Sequence, residues 1–263
     1  MSTRMRTPTR AVHGAPCWVS LMARDLDATQ DFYRSVLGWN YRGSSAGADV
    51  SVALADGRPV AGINALAPTM GVPVAWTAYF SAPNADLVAA RIRERGATVG
   101  VGPLAFGSGR AALASDPAGA VFGFWEGPVQ AGWQVGATNA PAALELHTRD
   151  AFAAAVFYGE LFDWASGLPD TCSVTYEHES VLVLAEGSTV ASLMGGGIEA
   201  APDPQVRPRW HVFFWVADVD ASARAAVRRG GTVVSGPQDA RAGRAATLRD
   251  PDGALFAVTS GQA

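Results

Sequence analysis

Hydrophobic and polar residues alternate along short runs of this chain, and segments with a helical spacing lie between the runs. Residues 17–22 (Cys-Trp-Val-Ser-Leu-Met) form a largely apolar run typical of a strand. Residues 27–37 place Phe32 and Val36 four positions apart, which predicts a helix with one buried stripe. Two more strands are predicted after this helix, at residues 50–54 and 60–66.

This succession of strand, helix and about three further strands occurs four times. The later units begin with predicted strands at residues 76–80, 143–147 and 210–216. Their helices are predicted at residues 85–95, 152–162 and 220–229. The first helix is expected to start at an Asp25 cap and to end at Gly38, and Asp163 replaces that glycine in the third unit. The repeated order predicts an α+β fold built from four βαβββ units.

A longer repeat marks the end of each half of the chain. Residues 109–122 and 243–256 share a Gly-Arg pair, an Asp-Pro pair, a glycine and a phenylalanine at the same offsets. Each copy is typical of a hairpin, because Asp, Pro and Gly fit the first, second and fourth positions of a type I turn. Residues 128–141 are rich in Gly and Pro and are typical of a linker. We therefore predict a disordered tail at residues 1–13 and two independently folding domains, at 14–127 and 142–263.

Composition excludes several classes of function. The 263 residues carry a net charge of −4, and all basic residues are arginine, so a lysine Schiff base is excluded. No basic run suggests nucleic acid, and no apolar run reaches the roughly 18 residues of a membrane helix. The N-terminus lacks the apolar stretch of a secretory signal, which favours a cytoplasmic protein, expected as a monomer or homodimer. Cys17 and Cys172 lie in apolar contexts typical of buried free thiols.

The recurring aromatic and hairpin motifs resemble those of one known superfamily. A Phe-Tyr pair followed by a tryptophan occurs twice, as Phe32, Tyr33 and Trp39 and as Phe157, Tyr158 and Trp164. Asp-Pro-x-Gly-Ala-x-Phe closes both halves. The pattern resembles the vicinal oxygen chelate superfamily of glyoxalases, bleomycin-resistance proteins and extradiol dioxygenases. Within it, the chain is similar to the tandem-domain, glyoxalase-like hydroxylase branch of actinobacteria. The resemblance implies that two units pair into an eight-stranded, cup-shaped half-barrel in each domain, with the ligand site in the cup.

The same resemblance implies where a metal would be held. The family's ligands lie on the first and last strands of the units, and the matching positions here are Trp18, Thr77, Ala143, His211, Gly123 and Ala257. Asn64 is the only polar candidate on the remaining strands. A catalytic metal site usually has about three protein ligands, and among these positions only His211 carries a suitable donor atom. We therefore predict no bound metal and no other cofactor, which argues against glyoxalase I and dioxygenase chemistry.

Strand alternation predicts which side chains face the two cups. Residues two positions apart share a face of a strand, so neighbours of the family's ligand positions point into the same cup. The first cup is predicted to be aromatic and neutral, with the ligand-binding residues Trp18, Ser20, Met22, Thr77 and Tyr79. The second cup is predicted to receive Ala143, Glu145, His147, His211, Phe213 and Trp215. There Phe213 and Trp215 would bind ligand, while the carboxylate and the two imidazoles would carry any acid–base catalysis.

Two classes of function fit these residues, and both involve a hydrophobic, aromatic small molecule. As a binding module, the protein would sequester a secondary metabolite or an antibiotic. As an enzyme, it would use Glu145, His147 and His211 for proton transfer, as an isomerase, a lyase, a cyclase or a cofactor-free oxygenase. A metal-dependent glyoxalase or dioxygenase is a third alternative that lacks its ligands. Convergence of polar groups in the second cup would favour the enzyme, and an aromatic clamp would favour sequestration.

Overall fold

Two eight-stranded sheets make up most of the protein. The computed structural model describes residues 12–137, 140–178, 180–196, 207–240 and 243–261, and these ranges contain sixteen strands and five helices. The predicted α+β class and the four βαβββ units are confirmed. None of the helices in these ranges is long and apolar enough to cross a membrane.

The first sheet is formed by the first half of the chain. Its elements are β1 (Pro16–Met22), α1 (Leu26–Leu37), β2 (Asn40–Ser44), β3 (Gly47–Ala55), β4 (Arg58–Asn64), α2 (Ala67–Met70), β5 (Ala75–Ser81), α3 (Ala85–Glu94), β6 (Thr98–Phe106), β7 (Gly109–Ser115) and β8 (Val121–Glu126). The strand order is β2-β3-β4-β1-β5-β8-β7-β6.

The second half repeats this arrangement. Its elements are β9 (Ala143–His147), α4 (Ala151–Phe162), β10 (Ser173–Glu177), β11 (Ser180–Ala185), β12 (Ser188–Met194), β13 (Arg209–Trp215), α5 (Val219–Arg228), β14 (Thr232–Ala240), β15 (Gly243–Arg249) and β16 (Leu255–Thr259). The strand order is β10-β11-β12-β9-β13-β16-β15-β14, so strands match one for one between the sheets.

The first strands of two units meet at the centre of each sheet. β1 runs antiparallel to β5, where Trp18 pairs with Tyr79. β9 runs antiparallel to β13, where Glu145 pairs with His211. We call the face of each sheet that is turned away from the helices the cup face. The central strands therefore place the predicted ligand positions of both units side by side on that face.

The helix ends follow the local sequence signals. The Asp25 carboxylate accepts a hydrogen bond from the backbone nitrogen of Ala28 at 2.7 Å and caps α1 as expected. Gly38 ends the helix with a φ of 73°, and Asp163 takes the same left-handed conformation after α4 with a φ of 56°. Asp adopts the left-handed conformation more readily than most non-glycine residues, which explains why it can stand in the third unit where the first unit has glycine.

The helix-side surfaces of the two sheets are joined by a buried chain of hydrogen bonds. The Trp76 indole donates to the Tyr33 hydroxyl at 2.9 Å, and that hydroxyl donates to the Asp250 carboxylate of the other half at 3.0 Å. The chain is repeated with distances of 3.0 and 3.1 Å by Trp210, Tyr158 and Asp116. All six side chains are buried. The Phe-Tyr and Asp-Pro repeats of the sequence thus meet across the two halves.

The aspartate of each Asp-Pro motif also holds its own turn. The backbone nitrogen of Gly119 donates to the Asp116 carbonyl at 3.0 Å, which is the hydrogen bond of the predicted turn. The Asp116 Oδ1 atom accepts from the backbone nitrogens of Ala118 and Ala120 at 2.9 and 2.8 Å. Its other oxygen is left for Tyr158 of the second half. One carboxylate therefore closes a hairpin and links the two sheets.

Charged side chains extend this junction at the surface. Arg91 on α3 donates to the Asp163 carboxylate at 3.0 Å, and His13 lies 3.1 Å from the same oxygen. Arg95 contacts Glu160 on α4 at 2.7 Å. The sequence assigned His13 to a disordered tail, and its contact with the second half corrects that assignment. Residues 1–11 of the predicted tail lie outside the described residues.

The predicted linker packs on the first half of the chain. Trp133 is buried, and its indole donates to the Val60 carbonyl at 2.8 Å. Its ring lies 5.8 Å from that of Trp18. A Gly- and Pro-rich composition indicates irregular backbone, but it does not show whether that backbone is packed. The boundaries at residues 127 and 142 remain predictions.

We expect that neither half folds alone, in contrast to the expectation from the repeat. Residues 14–127 without their partner would expose the Tyr33 and Phe80 rings and leave the hydroxyl of Tyr33 without Asp250. Thermal melts of the two halves, expressed separately and then mixed, would test this. We expect a cooperative melt only for the mixture, and a cooperative melt of either half alone would contradict the prediction.

Candidate functional site

A cavity of about 460 Å³ opens on the cup face of the first sheet. This volume lies within the range of roughly 300–1,000 Å³ that is usual for small-molecule sites. Four of the five residues predicted for the first cup line the cavity, namely Trp18, Ser20, Met22 and Tyr79. Thr77 is the exception. It pairs with Ser20, but its short side chain is buried and does not reach the cavity wall.

Two glycines make room for the main aromatic rings of this cup. A Cβ atom at Gly123 would overlap the Tyr79 ring, which lies across the neighbouring strand. A Cβ atom at Gly62 would lie 3.0 Å from the indole nitrogen of Trp18. Gly123 is one of the positions at which the family resemblance implies a metal ligand. In this protein an aromatic ring fills that place, so the first cup does not fit a metal.

Most of the remaining cavity wall was not predicted from the sequence. It comes from β2, β4, β6, β8 and the linker, and it includes Arg42, Asn64, Leu104, Phe106, Trp125 and Gln130. The sequence pattern predicts no strand at β2, and it indicates only a connection at the linker. A signal for its packing is present in the sequence, because Trp125 precedes the linker and Trp133 lies within it. From the sequence alone, Asn64 is only a possible metal ligand.

Among the described residues, the first cup contains no side chain that changes its charge near neutral pH. Its ionisable lining residues are Cys17, Arg42 and Tyr79. Burial raises the pKa of the Cys17 thiol to about 12, and burial also raises the pKa of Tyr79. Arg42 is exposed at the cavity and meets no carboxylate within the described residues. The cavity can therefore hold an aromatic ligand and attract an anionic group, but it offers no general acid or base.

The second cup has the side-chain arrangement that alternation predicted. Glu145, His147, His211, Phe213 and Trp215 are all partly exposed on the cup face, as is Ala143, while the residues between them are buried. The His147 Nε2 atom lies 3.0 Å from the Glu145 carboxylate. The rings of His147 and His211 stack with centroids 4.1 Å apart. The three proposed catalytic side chains thus form one cluster.

This cluster is more open to solvent than the first cup. The Glu145 and His147 side chains are 30% and 41% exposed. Burial, and then the neighbouring His147 and Arg209, together lower the pKa of His211 to about 3. His211 is therefore neutral at pH 7 and a weak base. Any proton transfer in this cup rests on Glu145 and His147.

We expect His211 to make folding sensitive to acid. The folded protein keeps this imidazole neutral down to about pH 3, whereas an unperturbed imidazole takes up a proton near pH 6.5. Its contribution to stability is therefore complete above pH 6.5 and is lost as the pH falls towards 3. As the pH falls from 6.5 towards 3, the free energy of unfolding of His211→Phe should decrease by about 2–4 kcal/mol less than that of the wild type. Denaturant unfolding across this range would measure the difference.

The matched control is His178→Gln, because His178 is an exposed imidazole in a turn. This variant should keep the acid sensitivity of the wild type. If His211→Phe and the wild type lost stability in parallel, the low pKa of His211 would be wrong.

The second cup also lacks a metal-binding donor set. Of the positions implied by the resemblance, Ala143 and Ala257 carry no donor atom, and only His211 does. In the described ranges, no three His, Cys, Asp or Glu side chains form a group that could hold a metal ion. The donor chemistry of both cups therefore does not fit the metal that the superfamily commonly uses.

Comparisons with known proteins identify relatives along nearly the whole chain. A family model described as a glyoxalase-like domain matches residues 143–259. The anthracycline biosynthesis protein DnrV of Streptomyces peucetius is 34% identical over 268 residues, covering 95% of this chain and 94% of that protein. CFP32 of Mycobacterium tuberculosis, named as a glyoxylase, is 34% identical over 257 residues, covering 93% and 94%.

Solved structures share the fold at lower identity. The Mn(II)-bound glyoxalase of Novosphingobium aromaticivorans has a TM-score of 0.59 and 17% identity, covering 97% of this chain and 84% of that one. A substrate complex of homoprotocatechuate 2,3-dioxygenase from Brevibacterium fuscum has a TM-score of 0.60 and 16% identity, covering 99% and 85%. At this identity the likeness establishes the tandem fold and carries no activity over.

Proposed function

Because this chain belongs to the glyoxalase-like family of the vicinal oxygen chelate superfamily, we propose that it binds a planar aromatic small molecule in the first cup without a metal. The observation that carries the proposal is the 460 Å³ cavity itself. Trp18, Tyr79, Phe106 and Trp125 surround it with ring surfaces, and such rings hold flat ligands through buried area and stacking. Sequestration follows, because the lining offers no group that exchanges protons near neutral pH.

The ligand class can be narrowed by the polar lining and by the relatives. Asn64, Ser20 and Ser51 supply hydrogen-bonding groups, and Arg42 supplies a positive charge that no carboxylate neutralises within the described residues. DnrV is named for the biosynthesis of anthracyclines, a class of compounds with fused aromatic rings. We propose a fused-ring aromatic metabolite that carries phenolic or carboxylate oxygens near Arg42.

Catalysis in the second cup is the alternative function. It is favoured by the 3.0 Å contact between Glu145 and His147 and by the stacked His211 ring. Such a pair could move a proton in an isomerase, lyase, cyclase or cofactor-free oxygenase reaction. In that case, His147→Ala and Glu145→Gln would abolish turnover while leaving ligand binding in the first cup intact.

A binding experiment with defined probes would test the main proposal. Quenching of tryptophan fluorescence would be followed with anthraquinone-2-carboxylate, with its uncharged methyl ester and with an aliphatic carboxylate of similar length. We expect saturable binding of both anthraquinones, tighter binding of the acid, and recovery of unchanged ligand after incubation. Equal affinity of the aliphatic acid would refute aromatic recognition. Conversion of the ligand, lost in His147→Ala, would establish the enzymatic alternative instead.

A further inference from the structure

Two arginines lie on the cup face of the second sheet, on strands that are separated only by β16. Arg209 begins β13 and pairs with His147 across β9, on the same face as His211. Arg249 ends β15, where it pairs with Leu255 of β16. Phe213 of β13 pairs with Ala257 of β16, which in turn pairs with Thr247 of β15, so Arg209 and Arg249 lie towards the same end of their strands. Burial, and then the positive charge of Arg249, lower the pKa of Arg209, as expected for like charges on one face.

Neither guanidinium group has an acidic partner among the described residues. Arg209 Nε is buried and has no hydrogen-bond acceptor there. The nearest acid in register, Glu145, is already bound to His147. Two surface arginines show the paired arrangement, because Arg244 makes hydrogen bonds to Asp220 of 2.6 and 3.1 Å, and Arg110 contacts Asp86 in the same way. Arg209 and Arg249 have no such carboxylate among the described residues.

A buried N–H donor without an acceptor and two unneutralised positive charges form an incomplete site. Buried polar groups in folded proteins nearly always have a partner, and an exception calls for an explanation such as a ligand, an ion or an ordered water. A guanidinium fork matches the geometry of a carboxylate or a phosphate, which would satisfy the donor and remove the repulsion in one step. The stacked rings of His147 and His211 lie alongside and could contact the rest of such a molecule.

We propose that Arg209 and Arg249 bind the oxyanion group of a small molecule, a carboxylate or a phosphate, on the cup face of the second sheet. This site is separate from the aromatic cavity of the first sheet, and it does not depend on the function proposed for that cavity. It would make the protein a two-site binder, with an aromatic ligand in one half and an anionic ligand in the other.

Calorimetric titration of the full-length protein with inorganic phosphate and with benzoate would test the site. Sodium chloride at matched ionic strength serves as the reference. We expect saturable binding in the wild type and an affinity that falls about tenfold or more in both Arg209→Gln and Arg249→Gln. Tighter binding of phosphate would identify a phosphate ligand, and tighter binding of benzoate would identify a carboxylate ligand. Arg58→Gln is the matched control, since Arg58 is exposed at the start of β4 in the other half.

Thermal melts provide a second readout that does not depend on calorimetry. The bound anion should raise the melting temperature of the wild type and of Arg58→Gln more than that of Arg249→Gln. Arg249 is exposed, so its substitution should leave the fold intact even if Arg209→Gln does not fold. Unchanged affinity in Arg249→Gln, an equal rise in melting temperature for all variants, or no saturable binding of either probe would each overturn the proposal.

Discussion

Asp250→Ala is expected to lower the free energy of unfolding by about 3–4 kcal/mol. The substitution leaves three donors without an acceptor, namely the hydroxyl of Tyr33 and the backbone nitrogens of Asp252 and Ala254. All three bonds lie at or beside the packed junction between the two sheets. A buried donor that loses its partner gives up its hydration without replacement, so the penalty is larger than the net value of a hydrogen bond.

Chemical denaturation monitored by circular dichroism would measure this loss. Asp252→Ala is the matched control, because it removes the same group two residues away, where the side chain is only partly buried. We expect that control to stay within about 0.5 kcal/mol of the wild type. Asp116→Ala should reproduce the effect of Asp250→Ala, since Asp116 makes the same set of bonds in the first half. A small loss in both variants would mean that the hydrogen-bond chains do not stabilise the junction.

Trp18→Ala is expected to weaken the binding of a planar aromatic ligand by about 2–3 kcal/mol, or about 30- to 150-fold. The Trp18 ring lines the cavity, lies against Gly62 and contacts Trp133. Its removal takes away stacking area and also loosens the linker that helps to enclose the cavity. Fluorescence or calorimetric titration with anthraquinone-2-carboxylate would measure the change.

The control for this experiment is a tryptophan in the other half. Trp215→Ala removes an indole from the second cup, and it should leave the affinity for the aromatic probe within about twofold of the wild type. If Trp215→Ala had the larger effect, the ligand would bind in the second cup. The assignment of the aromatic site to the first cup would then be wrong.

The local features of the fold could be read from the sequence because they depend on neighbouring residues. The Asp25 cap, the left-handed Gly38 and the alternation along β9 each follow from a few consecutive positions. The grouping of Glu145, His147 and His211 followed as well, since it needed only alternation and the pairing of two central strands. The direction in which successive side chains point is set by the backbone geometry of a helix or strand, so it is the same whatever the element packs against.

The junction could not be read from the sequence because its partners are far apart in the chain. Tyr33 and Asp250 are separated by 217 residues. A tyrosine on the apolar face of a helix gives the same sequence pattern whether it packs against the sheet of its own half or against the other sheet. The cavity was hidden for a related reason, since its volume depends on how β2, β6 and the linker close around the first cup. The chemically reactive residues of the sequence point to the second cup, whereas the 460 Å³ cavity lies in the first.

The reciprocal hydrogen bonds have a consequence for how the two halves can vary. Each half completes the other, because the tyrosine of one half donates to the aspartate of its sister. A substitution of either residue therefore affects both halves along the helix side of the strands. On the cup faces the two halves already differ, as an aromatic hollow and a polar, arginine-bearing surface. New ligand chemistry can therefore arise in one copy while the other continues to support the fold.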